Sequence, residues 1–402
     1  MSRIELIGID APELSAEQRQ LLRNCVAVVA SRRHRPLVEP CPAELIDITP
    51  LEAMLQRIEG VLERGPVAVL ASGDPLFYGI GRTLIERFGP ERLVVHPALS
   101  AVQLACGRFK VPWDDLPLIS LHGRSVVHPA GLILRHQRSL LFTDSRHSPD
   151  RLAADLLATL EDCGDNERIS RIRLRVAENL GLDDERITQG TLAEIARARF
   201  APLNMVLVEQ PPLPDGCRLG LCENDIRHSR GLITKDEIRA VTLHQLRLPE
   251  TGVLWDIGGG SGSVSLEASR LCPELAIFTI EKKAEEQDNI LANIRRFGAY
   301  SIQLIRGEAP GALDQLPAPD RIFVGGGGKT LEAILRAAVP RLQPGGRIVV
   351  NTVLAESTTT ALHTLEQLGL RVASTTLSVT RNPSADGTPR TLNPITLITG
   401  EP

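Results

Sequence analysis

A glycine-rich turn between a buried strand and a helix constrains the fold of this 402-residue chain more than any other feature. The apolar run Val253-Leu-Trp-Asp-Ile257 leads directly into Gly258-Gly-Gly-Ser-Gly262, and a helical stretch follows at 264–270. Glycine tolerates positive φ and lets the backbone approach a ligand closely. A strand, a glycine turn and a helix in this order are typical of α/β folds that bind nucleotides. The segment therefore predicts a nucleotide-type cofactor, and a dehydrogenase would satisfy it as well.

Short apolar runs alternate with helical periods in both halves of the chain, which predicts parallel α/β sheets in both. The proline-rich stretch Glu209-Gln-Pro-Pro-Leu-Pro-Asp-Gly216 separates the halves, and its prolines disfavour both helix and central strand. A chain of this length is comfortable for two domains of about 200 residues each. We therefore expect a first domain at 1–209, a linker at 210–216 and a second domain at 217–402.

Later turns in the second half favour a methyltransferase over a dehydrogenase. Glu281 ends the strand after the glycine turn and can accept hydrogen bonds from ribose hydroxyls, which both enzyme classes require. Three further segments are similar to class I methyltransferases that use S-adenosylmethionine (SAM). They are Arg306-Gly-Glu-Ala-Pro310, the glycine run 325–328, and Leu342-Gln-Pro-Gly-Gly346 before the fifth strand. A single glycine turn has ordinary structural explanations, whereas this series in register indicates a SAM site.

The first half carries a different signature, Gly73-Asp74-Pro75, within Ala71-Ser-Gly-Asp-Pro-Leu-Phe-Tyr-Gly79. This segment resembles the tetrapyrrole (corrin/porphyrin) methylase family, which has a second and unrelated SAM-binding fold. The segments 96–105 and 120–124 are also similar to that family. The resemblance implies an N-terminal tetrapyrrole methylase of two α/β subdomains, followed by a C-terminal Rossmann-like class I SAM methyltransferase.

Together the two halves resemble the fused precorrin methyltransferases of cobalamin biosynthesis over nearly the whole chain. The resemblance implies methylation of a precorrin at carbons 5 and 15 with decarboxylation of the acetate side chain on ring C, which converts precorrin-6B to precorrin-8. It assigns carbon 5 to the N-terminal half, and carbon 15 with the decarboxylation to the C-terminal half. Methyl transfer by in-line displacement needs alignment more than acid–base chemistry, so no catalytic residue is assigned.

Matching the family's contacts residue by residue predicts two SAM sites and a set of substrate contacts. The N-terminal SAM site would comprise Gly73, Asp74, Leu76, Phe77, Ser100, Ala101 and Thr143. The C-terminal SAM site would comprise Thr234, Gly258, Gly259, Gly260, Ser261, Gly262, Glu281, Glu308 and Ala309. Basic side chains near these sites are candidates for binding the carboxylates of an anionic tetrapyrrole, with a solvated surface as the alternative: His122, Arg124, Arg230, Arg381 and Arg390.

Two features of the first half concern substrate access. The tetrapyrrole methylase family usually has a Gly-x-Gly loop after its first strand, whereas this chain has Gly8-Ile-Asp-Ala-Pro12, with Asp10 in place of the second glycine. The change adds a Cβ and a negative charge where an anionic macrocycle is expected to approach. A basic run, Arg32-Arg-His-Arg35, follows the second predicted strand. It is either a solvated loop or a contact for substrate carboxylates.

Charge, hydropathy and cysteine spacing argue against several other classes of protein. The net charge of −4 argues against a general nucleic-acid binder. No apolar run is long enough to span a bilayer, so we expect a cytoplasmic protein. The resemblance also implies a homo-oligomer. The seven cysteines form no CxxC pair, so neither a metal site nor a disulfide framework is favoured. Two alternatives stay open, a tandem methyltransferase acting on RNA and a non-catalytic carrier of SAM or a tetrapyrrole.

Overall fold

Three large β-sheets and one two-stranded sheet organise the part of the chain that the structure describes. The computed structural model describes residues 3–40, 43–123, 126–214, 219–231, 233–382 and 387–402. Two five-stranded sheets lie within residues 4–209, and the seven-stranded sheet lies within residues 251–401. Five short 3-10 helices lie between the longer elements, at Pro90–Arg92, Glu223–Asp225, Gly311–Leu313, Gly328–Thr330 and Val339–Arg341.

The first sheet is entirely parallel, with strand order β3-β2-β4-β1-β5. Strand β1 is buried along its whole length and lies between β4 and β5. Helices between successive strands provide the crossovers that parallel pairing requires. The elements are β1 (Ile4–Ile9), α1 (Ala16–Arg23), β2 (Ala27–Ala30), α2 (Arg35–Val38), β3 (Glu44–Asp47), α3 (Leu51–Leu62), β4 (Val67–Ser72), α4 (Gly81–Phe88), β5 (Leu93–His96) and α5 (Ala101–Phe109).

The second sheet has the order β6-β7-β10-β8-β9 and is mainly antiparallel, so the prediction of a parallel sheet was wrong here. Only β6 and β7 run parallel. The turn 179–185 between β8 and β9 is too short for a crossover, and a short connection forces antiparallel pairing. The elements are β6 (Leu118–Ser120), α6 (Pro129–Leu134), β7 (Arg138–Phe142), α7 (Pro149–Cys163), α8 (Asn166–Arg171), β8 (Arg173–Glu178), β9 (Arg186–Gly190), α9 (Leu192–Arg197) and β10 (Asn204–Glu209).

The third sheet has the order β13-β12-β11-β14-β15-β19-β16, with five parallel strands followed by an antiparallel pair. The chain turns from one side of the sheet to the other between β11 and β14, and ligands of open α/β sheets bind at such a switch point. The elements are α10 (Asp236–Leu246), β11 (Thr251–Ile257), α11 (Ser263–Leu271), β12 (Glu274–Glu281), α12 (Ala284–Phe297), β13 (Ile302–Arg306), β14 (Arg321–Val324), α13 (Leu331–Ala338), β15 (Arg347–Thr352), α14 (Ala355–Gln367), β16 (Arg371–Leu377), β17 (Thr380–Arg381), β18 (Arg390–Thr391) and β19 (Ile395–Glu401).

The second and third sheets share a hydrophobic core through α6, α7 and α12. Tyr300 lies at this junction and is 1% exposed. Its hydroxyl donates to Asp165 Oδ2 at 2.5 Å, and its carbonyl oxygen lies 2.8 Å from His128 Nε2. Arg306 forms a more exposed ion pair with Asp162 at 2.7 Å. The two halves are therefore joined by buried apolar and polar contacts as well as by the chain itself.

We expect Tyr300→Phe to lower the free energy of unfolding by about 2 kcal/mol, because it removes a buried hydrogen bond to a charged group. Urea unfolding followed by fluorescence or circular dichroism measures the change. Tyr78, the other tyrosine of the chain, is 62% exposed. The control Tyr78→Phe should therefore change stability by less than about 0.5 kcal/mol. Equal effects of the two substitutions would show that the Tyr300 hydroxyl does not stabilise the junction.

Candidate functional site

A cavity of about 940 Å³ opens at the carboxyl ends of the parallel strands in the third sheet. The turns after β11, β12, β13 and β14 contribute to its wall, and the segment before α10 and the segment around β18 close it from other sides. The cavity therefore occupies the place at which the topology predicts a ligand. Below, it is called the C-terminal cavity.

The glycine turn after β11 forms one wall of the C-terminal cavity. The backbone N–H groups of Gly258 and Gly259 donate to the Ile280 carbonyl at 2.9 and 3.1 Å, which fixes the turn against β12. Gly258 has φ +74°, and a Cβ atom there would lie 2.8 Å from the carbonyl oxygen of Gly326. Any side chain at 258 would therefore push apart the turns that follow β11 and β14.

Glu281 presents a fixed carboxylate at the end of β12. Its Oε1 accepts hydrogen bonds from the backbone N–H groups of Lys282 and Lys283, and its Oε2 accepts one from Gly260 N, each at 2.9 Å. The side chain lines the C-terminal cavity although the residue is only 7% exposed. A carboxylate has about four acceptor positions, so with three of them occupied Glu281 can still accept a hydrogen bond from one hydroxyl of a diol.

The other predicted C-terminal SAM contacts fall into two groups. Thr234, Glu308 and Ala309 line the C-terminal cavity together with 258–261, and Glu308 also pairs with Lys282 at 2.6 Å. Gly262 does not line the cavity but caps α11, where a Cβ would lie 3.3 Å from Ile290. The structure thus brings all of the predicted set except Gly262 to one surface.

Asp256 lies behind the glycine turn, in the core. The residue is 1% exposed, and its Oδ2 accepts a hydrogen bond from Ser265 Oγ at 2.5 Å. Its Oδ1 has no hydrogen-bond partner among the described residues. Burial, together with the nearby charge of Glu281, raises the pKa of the Asp256 carboxyl from 3.8 to about 6. Asp256 therefore supports the turn and does not contact a ligand directly.

The raised pKa predicts that Asp256 makes folding pH-dependent. The stability that its protonated form contributes is present below pH 3.8 and is lost as the pH rises through about 6. Relative to Asp256→Asn, which cannot ionise, the wild-type chain should lose about 1 kcal/mol of unfolding free energy between pH 5 and pH 7. Urea unfolding at the two pH values measures this difference. Parallel pH dependence of both proteins would contradict it.

A second cavity, of about 270 Å³, lies between the first two sheets and is called the N-terminal cavity below. The predicted residues Gly73, Ala101 and Thr143 line it. Four others do not line it: Asp74 accepts from Leu76 N at 2.9 Å, Phe77 packs on Phe142, Ser100 caps α5, and Leu76 is 51% exposed. Asp74, Phe77 and Ser100 therefore stabilise the turns next to the cavity.

Close backbone packing shapes the N-terminal cavity at the end of β1. A Cβ atom on Gly8 would lie 2.5 Å from the Gly73 carbonyl oxygen and 2.7 Å from Ala98 N. Asp10 lines the cavity, and its Oδ2 accepts a hydrogen bond from Leu99 N at 2.9 Å. The aspartate that replaces the family's glycine is therefore anchored to the turn before α5. The role of Gly8 was not predicted, because close backbone contact between distant turns leaves no local sequence pattern.

The five residues predicted to contact the substrate do not lie together in the structure. His122 lines the N-terminal cavity with Nδ1 3.2 Å from the Thr143 carbonyl, and Arg390 lines the C-terminal cavity. Arg230 is exposed and lines neither cavity. Arg124 lies outside the described residues. The prediction for Arg381 needs correction, because its guanidinium is bound by Glu223 at 2.6 Å and Glu237 at 2.7 Å, which fixes the strand pair β17–β18 instead.

Lysine placement is a feature of the site that sequence reasoning missed. The chain has only five lysines, and four of them, Lys235, Lys282, Lys283 and Lys329, line the C-terminal cavity. Lys235 pairs with Glu223 at 3.1 Å and Lys282 with Glu308. Among the described residues Lys283, Lys329 and Arg390 have no ion-pair partner. The lining thus carries four lysines and Arg390 against Glu281, Glu286 and Glu308, which is an excess of positive charge.

The described part of the chain holds no cluster of three or more His, Cys, Asp or Glu side chains placed to bind a metal ion. Within the same residues, each helix is too short or too polar to cross a membrane.

Comparisons with known proteins match both halves of the chain. A family model described as tetrapyrrole (corrin/porphyrin) methylases matches residues 7–196, and one described as a precorrin methyltransferase domain matches residues 225–398. A Sinorhizobium protein named precorrin-6Y C(5,15)-methyltransferase [decarboxylating] is 35% identical over 89% of this chain and 85% of its own length. A Mycobacterium tuberculosis protein of the same name is 34% identical over 91% of each chain.

A shorter relative matches only part of the chain. A Pyrobaculum calidifontis protein named probable cobalt-precorrin-6B C(15)-methyltransferase (decarboxylating) is 40% identical over 171 residues, which are 42% of this chain and 87% of its own length. The two longer relatives cover both methylase regions at more than 30% identity. The chain therefore belongs to the family of decarboxylating precorrin-6Y C(5,15)-methyltransferases.

Proposed function

We propose that this chain methylates a precorrin at carbons 5 and 15 and decarboxylates the acetate side chain on ring C, converting precorrin-6B to precorrin-8 in cobalamin biosynthesis with SAM as methyl donor. The observation that carries the proposal is a pair of separate cavities, each at the end of a first strand and each dependent on a close glycine contact. Two SAM sites on one chain match the two methylations that the longer relatives' names state.

Each of the two cavities would catalyse different steps of the reaction. We assign carbon 15 and the decarboxylation to the C-terminal cavity, and carbon 5 to the N-terminal cavity. A relative that spans less than half of this chain is named for carbon 15 and decarboxylation together. That name pairs the two steps on a protein that matches 171 residues of this chain, which supports giving both steps to one cavity and carbon 5 to the other.

The C-terminal cavity fits SAM in three respects. Glu281 would accept a hydrogen bond from a ribose hydroxyl, Gly258–Ser261 would offer backbone at close range, and Ala309 would provide apolar wall for an adenine. When bound, SAM supplies a methyl group on a positively charged sulfur. The chain's own contribution is to hold the two reacting partners in line and to exclude water, and positioning of this kind gives large accelerations.

Unpaired cations suit the anionic substrate. Lys329 and Arg390 lie at the C-terminal cavity without internal carboxylate partners among the described residues, and ammonium and guanidinium groups bind carboxylates well. Decarboxylation would need no metal, since the conjugated nitrogens of the macrocycle can accept the electron pair. Lys329 and Arg390 would hold the carboxylates that are retained.

The family resemblance also leads us to propose a homo-oligomer, which sedimentation analysis would test.

The experiment is to incubate the protein with SAM and precorrin-6B and to measure the mass of the product. Gain of two methyl groups with loss of CO2 supports the proposal. Gain of one methyl group with loss of CO2 would restrict it to the C-terminal cavity. Tight binding of both ligands without a mass change would indicate a carrier, and methyl transfer to ribosomal RNA in a parallel sample would overturn the substrate class.

A further inference from the structure

The basic run Arg32-Arg-His-Arg35 does not act as one charged surface. Arg33 lines the N-terminal cavity, whereas Arg35 turns away and pairs with Asp47 at 2.7 Å. His34 lies beneath them and is 3% exposed. The short helix α2 begins directly after His34 and contains Pro36, which fixes this change of direction. One cation and one buried imidazole of the run are therefore directed towards the cavity side of the first sheet.

His34 contacts Ser72, which also lines the N-terminal cavity. His34 Nε2 lies 3.3 Å from Ser72 Oγ, and His34 Nδ1 is buried with no hydrogen-bond partner among the described residues. Burial and the charge of Arg33 both lower the pKa of His34, which favours the neutral imidazole. A neutral imidazole has one N–H and one lone pair.

The hydrogen-bond partners around His34 indicate which of its two ring nitrogens carries that single proton. A buried N–H without an acceptor is costly and rarer than an unfilled acceptor. The proton should therefore reside on Nε2 and be donated to Ser72 Oγ. The hydroxyl proton of Ser72 is then free to be donated elsewhere, and the side on which Ser72 is exposed is the cavity. His34 would thus orient the Ser72 hydroxyl as a donor into the cavity.

Arg33 adds a positive charge to the same wall. It has no ion-pair partner among the described residues, and the carboxylate of Asp10 in the same cavity is bound to Leu99 N instead. A guanidinium and a hydroxyl donor on one partly apolar wall match a carboxylate, which accepts several hydrogen bonds. Asp10 follows Ile9, the β1 partner of Ser72, so its carboxylate lies at the same end of the sheet and is held there by Leu99 N.

We propose that Arg33 and Ser72, with His34 as a positioning residue, form a carboxylate-binding subsite of the N-terminal cavity. The inference rests on the proposed function of that cavity. Two ligands of the reaction carry carboxylates, the methionine end of SAM and the side chains of the tetrapyrrole. The chemistry recognised is the same in both cases, and the experiment separates them.

The test uses the full chain with Arg33→Met, Ser72→Ala, His34→Leu and His34→Gln, and with Arg23→Met as an exposed control on α1. KM and kcat for methylation at carbon 5 are measured for SAM and for precorrin-6B. We expect Arg33→Met and Ser72→Ala each to raise the KM of one ligand about tenfold, as loss of a charge-assisted or buried hydrogen bond would. His34→Leu should behave like Ser72→Ala, and His34→Gln should recover much of the loss because its amide N–H can donate.

Methylation at carbon 15 in the same samples reports whether each variant is folded. If the carboxylate belongs to the donor, the KM of SAM rises in the variants, and a SAM analogue lacking its carboxylate binds wild type and Arg33→Met equally weakly. If it belongs to the tetrapyrrole, only the KM of precorrin-6B rises. Unchanged KM values for both ligands in Arg33→Met and Ser72→Ala would overturn the subsite, and equal effects of His34→Gln and His34→Leu would overturn the role of His34.

The subsite and the proposed function can fail separately. If wild-type protein does not methylate carbon 5, the assignment of the N-terminal cavity is wrong. Calorimetric titration with S-adenosylhomocysteine, which keeps the carboxylate, and with precorrin-6B then tests the subsite alone. Weaker binding of either ligand to Arg33→Met and Ser72→Ala but not to Arg23→Met would support the subsite, and equal affinities in all proteins would overturn it.

Discussion

Replacement of Gly258 by alanine should lower kcat/KM for methylation at carbon 15 by about a hundredfold or more, the scale of loss that a displacement of about 1 Å causes at a positioning site. The residue has φ +74°, and its added Cβ would lie 2.8 Å from the carbonyl oxygen of Gly326. Both the turn after β11 and the turn after β14 would have to move. Release of CO2 should fall in parallel, because the same cavity would hold the substrate for both steps.

The matched control is Gly311→Ala. Gly311 lies in the short 3-10 helix after β13, where a Cβ would meet no atom within 4 Å, and it does not line the C-terminal cavity. Methylation at carbon 5 serves as a second, internal control, since the N-terminal cavity is formed by other sheets. Equal loss of both methylations in Gly258→Ala would indicate general unfolding, and full activity at carbon 15 would contradict the role of the turn.

Gly8→Ala should have the complementary effect and lower kcat/KM for carbon 5 by a similar factor of about a hundred. The added methyl group would face three backbone and Cβ atoms of the turns at Gly73 and Ala98, all within 2.8 Å. None of these atoms is at the end of a flexible side chain, so the wall of the N-terminal cavity must shift. The measurement is the rate of methyl incorporation at each carbon.

A glycine in α3 provides the control for that substitution. Gly60 has no atom within 4 Å of an added Cβ and lies inside the helix, where alanine is favoured by about 1 kcal/mol. Gly60→Ala should therefore leave both methylations unchanged. Retention of normal carbon 5 activity in Gly8→Ala would show that the close contact between β1 and the Gly73 turn is not needed for the site.

Apolar runs in the sequence mark the buried strands but not the strands with little apolar surface. The buried strands β1, β4, β11 and β12 follow continuous apolar runs. By contrast, β3 and β9 are edge strands whose residues are mostly polar or partly exposed, so no continuous apolar run marks them. The pairing direction of the second sheet was also missed, because direction depends on how the turn 179–185 returns the chain and not on apolar periodicity.

The site residues show the same division between local and long-range information. Glu281 and the turn 258–261 could be predicted because a strand, a glycine turn and an acidic residue follow one another along the chain. The contact of Gly8 with Gly73 and the ion pairs of Arg381 with Glu223 and Glu237 join residues far apart in sequence. No local pattern shows that Arg381 is already neutralised.

We propose that one chain carries two methyl-donor sites with separate tasks. The most direct test incubates wild type, Gly8→Ala and Gly258→Ala with precorrin-6B and SAM labelled with ¹³C in the methyl group, and locates the label in the product by NMR. Wild type should show two labelled methyl groups, Gly8→Ala only that at carbon 15, and Gly258→Ala only that at carbon 5, provided each step accepts the substrate unmethylated at the other carbon. Loss of the same label in both variants, or both labels in both variants, would contradict the claim.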